Sequence, residues 1–394
     1  MLSRYLSDPI HSDLAQKMVF LAGPRQVGKT TLAKNLLEIA GMGEYLSWDR
    51  REDRKNIRSA HWPAGPALVV LDELHKWKNW KRWIKGEYDK HKERLRFLVT
   101  GSARLDVYRR GGDSLQGRYH HYRLHPLSVA ELEGSHKFPF QPGQKLDFPH
   151  GSSSGQATAE SLQQLMEFGV FPEPFLAASA RSTRRWRKER IDRFFREDVR
   201  DLETIRDMSS MQLLADMLVL RVASPLSVNS LREDLETSHK SISRWIGILE
   251  RLYYLFRIRP YSNRAFSGMK KMAKAYLWDS SLIAEPGALF ENIVALHLLK
   301  LCHFLEDTEG YAMKLHYIRD KTGREVDFLV ACDNKPWFLV EAKIGEQRID
   351  PSLKYFRDKL DIPAYQIVYD SSTRDYEKDG IRCMPAHAFL SALI

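Results

Sequence analysis

The chain has 394 residues, 43% of them hydrophobic, with a net charge of +10 and three cysteines. That length suits two to three domains with cores of their own, and the positive balance favours an anionic partner, most often nucleic acid. Cys302, Cys332 and Cys383 form no C-x-x-C pair, which excludes a zinc ribbon or a disulfide framework and fits a reducing, cytoplasmic setting. With no apolar run of membrane length and no N-terminal signal segment read in it, the sequence predicts no membrane partner.

Residues 1–16, with Arg4, Leu6 and Leu14, are expected to form a helix ahead of the first strand. Met18 to Ala22 is an apolar run of strand length. Gly23-Pro24-Arg25-Gln26-Val27-Gly28-Lys29-Thr30 then fits G-x-x-x-x-G-K-[ST] at every fixed position, and Thr31 opens a stretch with a helical apolar stripe. Strand, Gly-rich turn and helix in that order are the context this motif requires. The glycines let backbone N–H groups wrap a phosphate chain, and the helix N-terminus faces the same anion. Lys29 reaches the β- and γ-phosphates and the Thr30 hydroxyl ligates Mg²⁺. ATP with Mg²⁺ is therefore the expected cofactor, bound by Gly23 to Thr31 together with Asp72.

Glu44 to Asp49 reads as a second strand. Ala67-Leu-Val-Val-Leu-Asp72-Glu73 has the pattern of a central parallel strand running into two acids at its exposed end. Asp72 is assigned to the metal and Glu73 to the base that activates a hydrolytic water. His75 to Lys92, with Trp77, Trp80 and Trp83, reads as an amphipathic helix packed on the sheet rather than a base-stacking element. Leu95 to Ser102 is a further buried strand, whose Thr100 or Ser102 is placed near the γ-phosphate or the attacking water. Together these elements predict an α/β fold, a doubly wound parallel nucleotide-binding sheet. Arg118 is a candidate arginine finger for a neighbouring subunit, which implies a homo-oligomer; an ordinary surface arginine is the alternative. His120, His121 and His125 are read as structural.

Residues 134–160 shift to Gly, Ser and Pro and read as a linker or loose insertion. A helical region follows, interrupted by Phe168-Gly-Val-Phe-Pro-Glu-Pro-Phe175. Its Arg-dense run from Arg181 to Arg200 is either a solvated face or an interaction surface. From Ser227 to Leu252 two short helices with a tight turn match helix-turn-helix spacing, with Thr237-Ser238 as the cap. The second helix offers Lys240, Ser241, Ser243 and Arg244 at its exposed start. Strands are expected at Tyr253 to Arg259 and Ala275 to Asp279, flanking Arg264, Lys270, Lys271 and Lys274. That is a winged helix with a basic wing, fitted to DNA backbones, with protein contact as the alternative.

The last domain carries acids. Glu291 lies in the first turn of an amphipathic helix, Asp327 on one strand, and Glu341 and Lys343 on one face of the next. A turn at Asp333-Asn-Lys-Pro336 predicts a hairpin that brings Asp327 and Glu341 together. Two carboxylates and a lysine at one spot predict a Mg²⁺ site, with Mn²⁺ as the alternative ion, for phosphodiester hydrolysis. Asp327 and Glu341 would ligate the metal, Lys343 would orient water, and Glu291 would add a further acid. A salt-bridged hairpin is the competing reading. The expected boundaries are 1–133 for the ATPase domain, 134–160 for the linker, 161–220 for the helical region, 221–283 for the winged helix and 284–394 for the nuclease-like domain.

In these residues the chain resembles the bacterial and archaeal AAA+-type ATPases that couple a P-loop domain to a winged helix and a PD-(D/E)XK nuclease-like domain. The resemblance rests on Gly23 to Thr30, Leu71-Asp-Glu73, Thr100-Gly-Ser102, Gly117-Arg118, Phe171-Pro-Glu-Pro174, Ser238 to Trp245, and Glu325-Val-Asp327 with Val340-Glu-Ala-Lys343. It covers nearly the whole chain and leaves residues 134–160 unexplained. It implies ATP hydrolysis, oligomerisation and a DNA-related role such as repair or defence against mobile elements. The competing reading is a nucleotide-state signalling or protein-remodelling ATPase whose nuclease-like domain is a non-catalytic scaffold.

Overall fold

The computed structural model describes residues 2–102, 105, 115–135, 138–146, 148, 155–200, 207–262, 272–346, 348–370 and 372–394. They divide into two units, Met1–Pro126 with Arg251–Tyr253, and Leu127–Glu250 with Tyr254–Ile394. The fold is α/β, with a five-stranded parallel sheet in the first unit and a mixed eight-stranded sheet in the second.

In the first unit α1 (Ser7–Asp13) precedes β1 (Met18–Ala22), α2 (Lys29–Ala40), β2 (Gly43–Ser47), α3 (Arg51–Ser59), β3 (Ala67–Asp72), α4 (Trp80–His91), β4 (Leu95–Thr100) and β5 (Tyr119–Arg123). The sheet order is β2-β3-β4-β1-β5, parallel throughout. All of β1 and all of β3 except Asp72 are buried. Helices cover both faces of a parallel sheet, so its central strands read as unbroken apolar runs. The Trp-rich stretch is split in two: a 3₁₀ turn at Leu74–Lys76 comes first, and α4 starts only at Trp80. Its tryptophans pack rather than face solvent for base stacking, with Trp80 buried and Trp48 and Trp77 stacked 4.9 Å apart. Parallel pairing brings every strand's C-terminal end to one edge, where the P-loop, Asp72 and Ser102 lie.

The second unit begins with α5 (Val129–Leu132), α6 (Gly155–Phe168), α7 (Pro172–Ala177), α8 (Ala180–Arg193), α9 (Met208–Val219), α10 (Val228–Asp234) and α11 (His239–Arg251). There follow β6 (Leu255–Pro260), β7 (Lys274–Leu277), α12 (Pro286–Phe304), β8 (Met313–Arg319), β9 (Glu325–Cys332) and β10 (Lys335–Ile344). The chain ends with α13 (Pro351–Leu360), β11 (Ala364–Tyr369), β12 (Tyr376–Lys378), β13 (Ile381–Pro385) and α14 (Ala386–Ser391). The strand order is β12-β13-β11-β10-β9-β8-β6-β7, so the expected wing hairpin β6–β7 continues the C-terminal sheet. Glu285 caps α12 by accepting from the N–H groups of Gly287 and Ala288. The segment Pro286–Glu309 is long and apolar enough to cross a membrane by length and composition, contrary to the absence of such a run expected above; most of it is buried inside its own unit. A helix apolar on nearly every side is what a sheet core requires.

Within residues 134–160 the chain is anchored on the second sheet at two described positions. Leu146 and Phe148 are buried, the Trp337 indole donates to the Gln144 carbonyl at 2.5 Å, and the Tyr365 hydroxyl donates to Leu146 at 2.9 Å. Arg382 donates to the Phe148 carbonyl. Aromatic residues spaced between the glycines give this stretch apolar area enough to anchor on the second sheet, and α6 already starts within it at Gly155.

Candidate functional site

The P-loop leaves β1 at Gly23 and enters α2 at Lys29. Gly23 is needed there because a Cβ would meet the Leu124 carbonyl oxygen at 2.5 Å, and Gly28 holds φ +103°. Few side chains tolerate that backbone. Lys29 is buried and donates from Nζ to the carbonyls of Gly23 at 2.9 Å and Pro24 at 2.7 Å. The ammonium thus sits inside the loop whose N–H groups would cradle phosphates.

Asp72 ends β3 opposite Thr100 on β4. Its carboxylate accepts from the Tyr45 hydroxyl at 2.5 Å and from the Thr100 hydroxyl. Burial, then the bond to Asp72, holds the Tyr45 phenol above its usual range, while a side-chain bond with Thr30 works the other way. Two hydroxyls therefore hold the Asp72 carboxylate at the strand tip, and a carboxylate with the Thr30 hydroxyl is a donor pair whose chemistry fits Mg²⁺. Sequence reasoning passed over Tyr45, which sits on a strand with no motif of its own.

Glu73 follows at φ +56°, outside the usual range for a side-chain-bearing residue. Its N–H donates to the Thr100 carbonyl at 2.9 Å, fixing it beside the strand tip. Its carboxylate lies 3.3 Å from Lys76 Nζ and 3.7 Å from His75 Nε2. Lys76 also grips Asp49 at 2.7 Å. Burial works against that ammonium, but Asp49 and Glu73 outweigh it and raise its pKa. Ser102 lies just beyond β4, on the same edge. Arg118 does not. Its carbonyl accepts from Met18 N–H at the start of β1, about 13 Å along the strand from the P-loop. Its guanidinium forks onto Asp89 at 2.8 and 3.1 Å.

The helix-turn-helix segment forms α10 and α11, with Ser238 Oγ accepting from Ser241 N–H at 3.0 Å as the cap. Lys240 and Arg244 are exposed and Ser241 is half-buried, while Ile242, Trp245, Ile246 and Leu249 face inward. Arg264, Lys270 and Lys271 lie outside the described residues. Lys274 is a correction. Expected on a DNA-binding wing, it is only 2% exposed, because it opens β7 against an acidic cluster.

That cluster is the expected nuclease-like site. Across the β9–β10 hairpin Asp327 N–H donates to Glu341 at 3.2 Å and Ala342 N–H donates to Asp327 at 3.1 Å. Lys343 lies 2.8 Å from Glu341 and 3.1 Å from Asp350. The carboxylates of Glu291, Glu325 and Asp327 meet Lys274 Nζ at 3.2, 2.8 and 3.6 Å, and the Tyr276 hydroxyl donates to Glu291 at 2.7 Å. Burial, then the charge of Asp327, raises Glu291 to about 7, and the same two causes raise Glu341. Burial also raises Asp327. Burial disfavours the Lys274 ammonium, but Glu291, Asp327 and Glu325 more than offset it. A fixed ammonium therefore stands among the oxygens that a Mg²⁺ or Mn²⁺ ion would need. Among the described residues no group of three or more His, Cys, Asp or Glu side chains is arranged to hold a metal. The residues present do not fit a divalent ion as they stand. Lys274 and Tyr276, two apart on one strand and so on one face, were the signal that sequence reasoning missed.

A strand–P-loop–helix with an acid-tipped neighbouring strand defines a P-loop nucleotide site. Residues 15–133 match an AAA domain, so this part of the chain is an AAA-type ATPase domain. Residues 159–289 match a domain of unknown function (DUF8612), and 286–389 match another (DUF4143). The chain is similar to Uncharacterized protein MJ1544 of Methanocaldococcus jannaschii, at 23% identity over 74% of this chain and 65% of that protein. It thus spans slightly less than two thirds of that relative. It is also similar to Uncharacterized protein Rv2008c of Mycobacterium tuberculosis, at 22% identity over 95% of this chain and 81% of the relative. Among solved structures, the Aeropyrum pernix ORC1 protein in complex with DNA aligns with 74% of this chain and 91% of its own, at 14% identity and a TM-score of 0.32. That score is too low to define a shared fold.

Proposed function

We propose that the chain hydrolyses ATP at its AAA-type domain and uses the cycle to act on DNA, in repair or in defence against mobile elements. The observation that carries the ATP reading is the Lys29 ammonium held inside the P-loop by the Gly23 and Pro24 carbonyls, on the strand edge where β3 ends in Asp72. Backbone N–H groups of Gly28 and the first turn of α2 would bind the phosphates, and Lys29 would exchange carbonyl partners for phosphate oxygens. Glu73 would orient the attacking water and take its proton. Thr30 and Asp72 would hold Mg²⁺, which would neutralise phosphate charge when bound. Arg118 would serve a neighbouring subunit in a homo-oligomer, since its place at the far end of β1 keeps it from its own chain's P-loop. A cytoplasmic setting agrees with Cys302, Cys332 and Cys383 being buried thiols.

The DNA reading is supported by the solvent-facing Lys240 and Arg244 on the first turns of α11. Arg181, Arg184, Arg185 and Lys188 form a second exposed basic face on α8. The Lys274 ammonium favours the reading in which the C-terminal sheet is a nuclease-like scaffold that does not cut. The test is ATP turnover with and without single-stranded, duplex and branched DNA, in wild type and in Lys240→Glu/Arg244→Glu. DNA should stimulate wild type, and the double variant should lose that response and shift DNA binding toward lower salt. Turnover indifferent to every DNA would leave a signalling or protein-remodelling ATPase.

A further inference from the structure

Arg4 stands outside the residues that match the AAA domain, yet it is 5% exposed and reaches the P-loop itself. One terminal nitrogen donates to the Val27 carbonyl at 2.7 Å and the other to the His125 carbonyl at 2.5 Å. The contact is close: a Cβ on Gly28 would lie 2.9 Å from the Arg4 guanidinium. Neighbouring bonds fix the arginine in turn. The Tyr5 hydroxyl donates to the Arg123 carbonyl at 2.8 Å and accepts from His125 N–H at 3.2 Å. The Arg4 carbonyl accepts from Ser7 N–H at 2.9 Å as α1 begins.

These bonds act on a peptide whose direction matters. In a trans peptide the carbonyl of one residue and the N–H of the next point opposite ways. Holding the Val27 carbonyl toward Arg4 turns the Gly28 N–H to the other side. A cationic donor on the carbonyl also polarises that N–H and strengthens it as a donor to an anion. We propose that Arg4 is a positioning residue of the nucleotide site, which fixes the Val27–Gly28 peptide so that the Gly28 N–H faces the phosphates. The inference rests on the ATP reading above and adds a residue from outside the motif to it. Arg4 touches no phosphate in this role; it acts through the backbone. Its effect therefore falls on every ligand that carries the phosphate chain, ATP, ADP and pyrophosphate alike, whatever the base.

Two variants separate positioning from packing. Arg4→Lys keeps the charge but lacks the planar fork that matches two carbonyls at once. Arg4→Met keeps the bulk and removes both bonds. The full chain of each is compared with wild type and with Lys29→Ala in binding of ATP, ADP and pyrophosphate, and in thermal unfolding without nucleotide. Arg4→Lys should keep a thermal transition close to wild type while its Kd for all three ligands rises about ten-fold. Arg4→Met should lose more, on the scale of one to two powers of ten expected for a charge-assisted bond. Affinities within two-fold of wild type in Arg4→Lys and Arg4→Met would overturn the proposal. So would failure of Arg4→Lys to fold, which would make Arg4 a core residue. A wild-type chain that binds none of the three ligands would instead remove the ATP reading.

Discussion

Lys274→Met tests the reading of the acidic cluster most sharply. Lys274 Nζ lies within 3.2, 2.8 and 3.6 Å of three carboxylates, so its removal strips the counter-ion from all three at once. Methionine keeps most of the volume, which confines the perturbation to charge. Removing one partner of a single buried ion pair destabilises by about 3–5 kcal/mol. The loss here should reach at least that range, or about 4 kcal/mol, at pH 8, where the acids are driven to ionise. The sign follows from Glu291, whose folded pKa of about 7 lies above its ordinary 4.5. A raised acid stabilises the folded state when protonated, so the deficit should shrink as pH falls toward 5. The assay is urea unfolding of the full chain at pH 8 and pH 5, with hydrogen exchange over Glu325–Cys332 to place the loss in the second sheet. Millimolar Mn²⁺ without nucleotide should restore part of the stability of Lys274→Met and leave wild type unchanged. A variant as stable as wild type at pH 8 would refute the argument. So would a wild type that gains stability from Mn²⁺ through Asp327.

Two further outcomes follow from the geometry. His297 is buried, accepts from Val129 N–H at 3.1 Å and bonds the Ile293 carbonyl at 2.8 Å; burial, then Lys300, pulls its pKa down to about 4. Its folded pKa is below the ordinary 6.5, so stability should fall as pH drops from 6.5 toward 4, by about 3 kcal/mol in all. Glu291 has the opposite slope over an overlapping window, so the check is the difference between the unfolding curves of wild type and His297→Gln, which should lack this slope. If Arg118 acts in trans, Arg118→Ala chains mixed with Lys29→Ala chains should recover turnover that neither has alone; full specific activity in dilute monomer would contradict it.

The nucleotide site was legible because its chemistry is local. Gly23, Gly28, Lys29 and Thr30 lie within eight consecutive residues, and β1 and β3 are buried on both faces, so their apolar runs stand out. Glu341 and Lys343 were legible for a similar reason, since a strand's period of two puts them on one face. What stayed hidden depends on pairing at long range. Lys274 looks like one more basic residue of a wing until β6 and β7 join the sheet that carries Asp327. Tyr45 and Arg4 belong to no motif: Tyr45 meets Asp72 only through the order of strands, and Arg4 reaches the P-loop only through the bonds at the end of β5. Residues 134–160 read as loose because glycine, serine and proline are frequent in them, yet Leu146 and Phe148 anchor that part of the stretch on the second sheet.

The most direct test of the central claim is ATP binding and turnover by the full chain, Lys29→Ala and Glu73→Gln side by side. Wild type should bind ATP and hydrolyse it with Mg²⁺. Lys29→Ala should bind no nucleotide, because it loses the cation inside the P-loop. Glu73→Gln should bind ATP with near wild-type affinity and turn it over at least about a hundred-fold more slowly, the lower end of what a general base contributes. Hydrolysis at the wild-type rate in Glu73→Gln would place the base elsewhere, and ATP binding undiminished in Lys29→Ala would contradict the account.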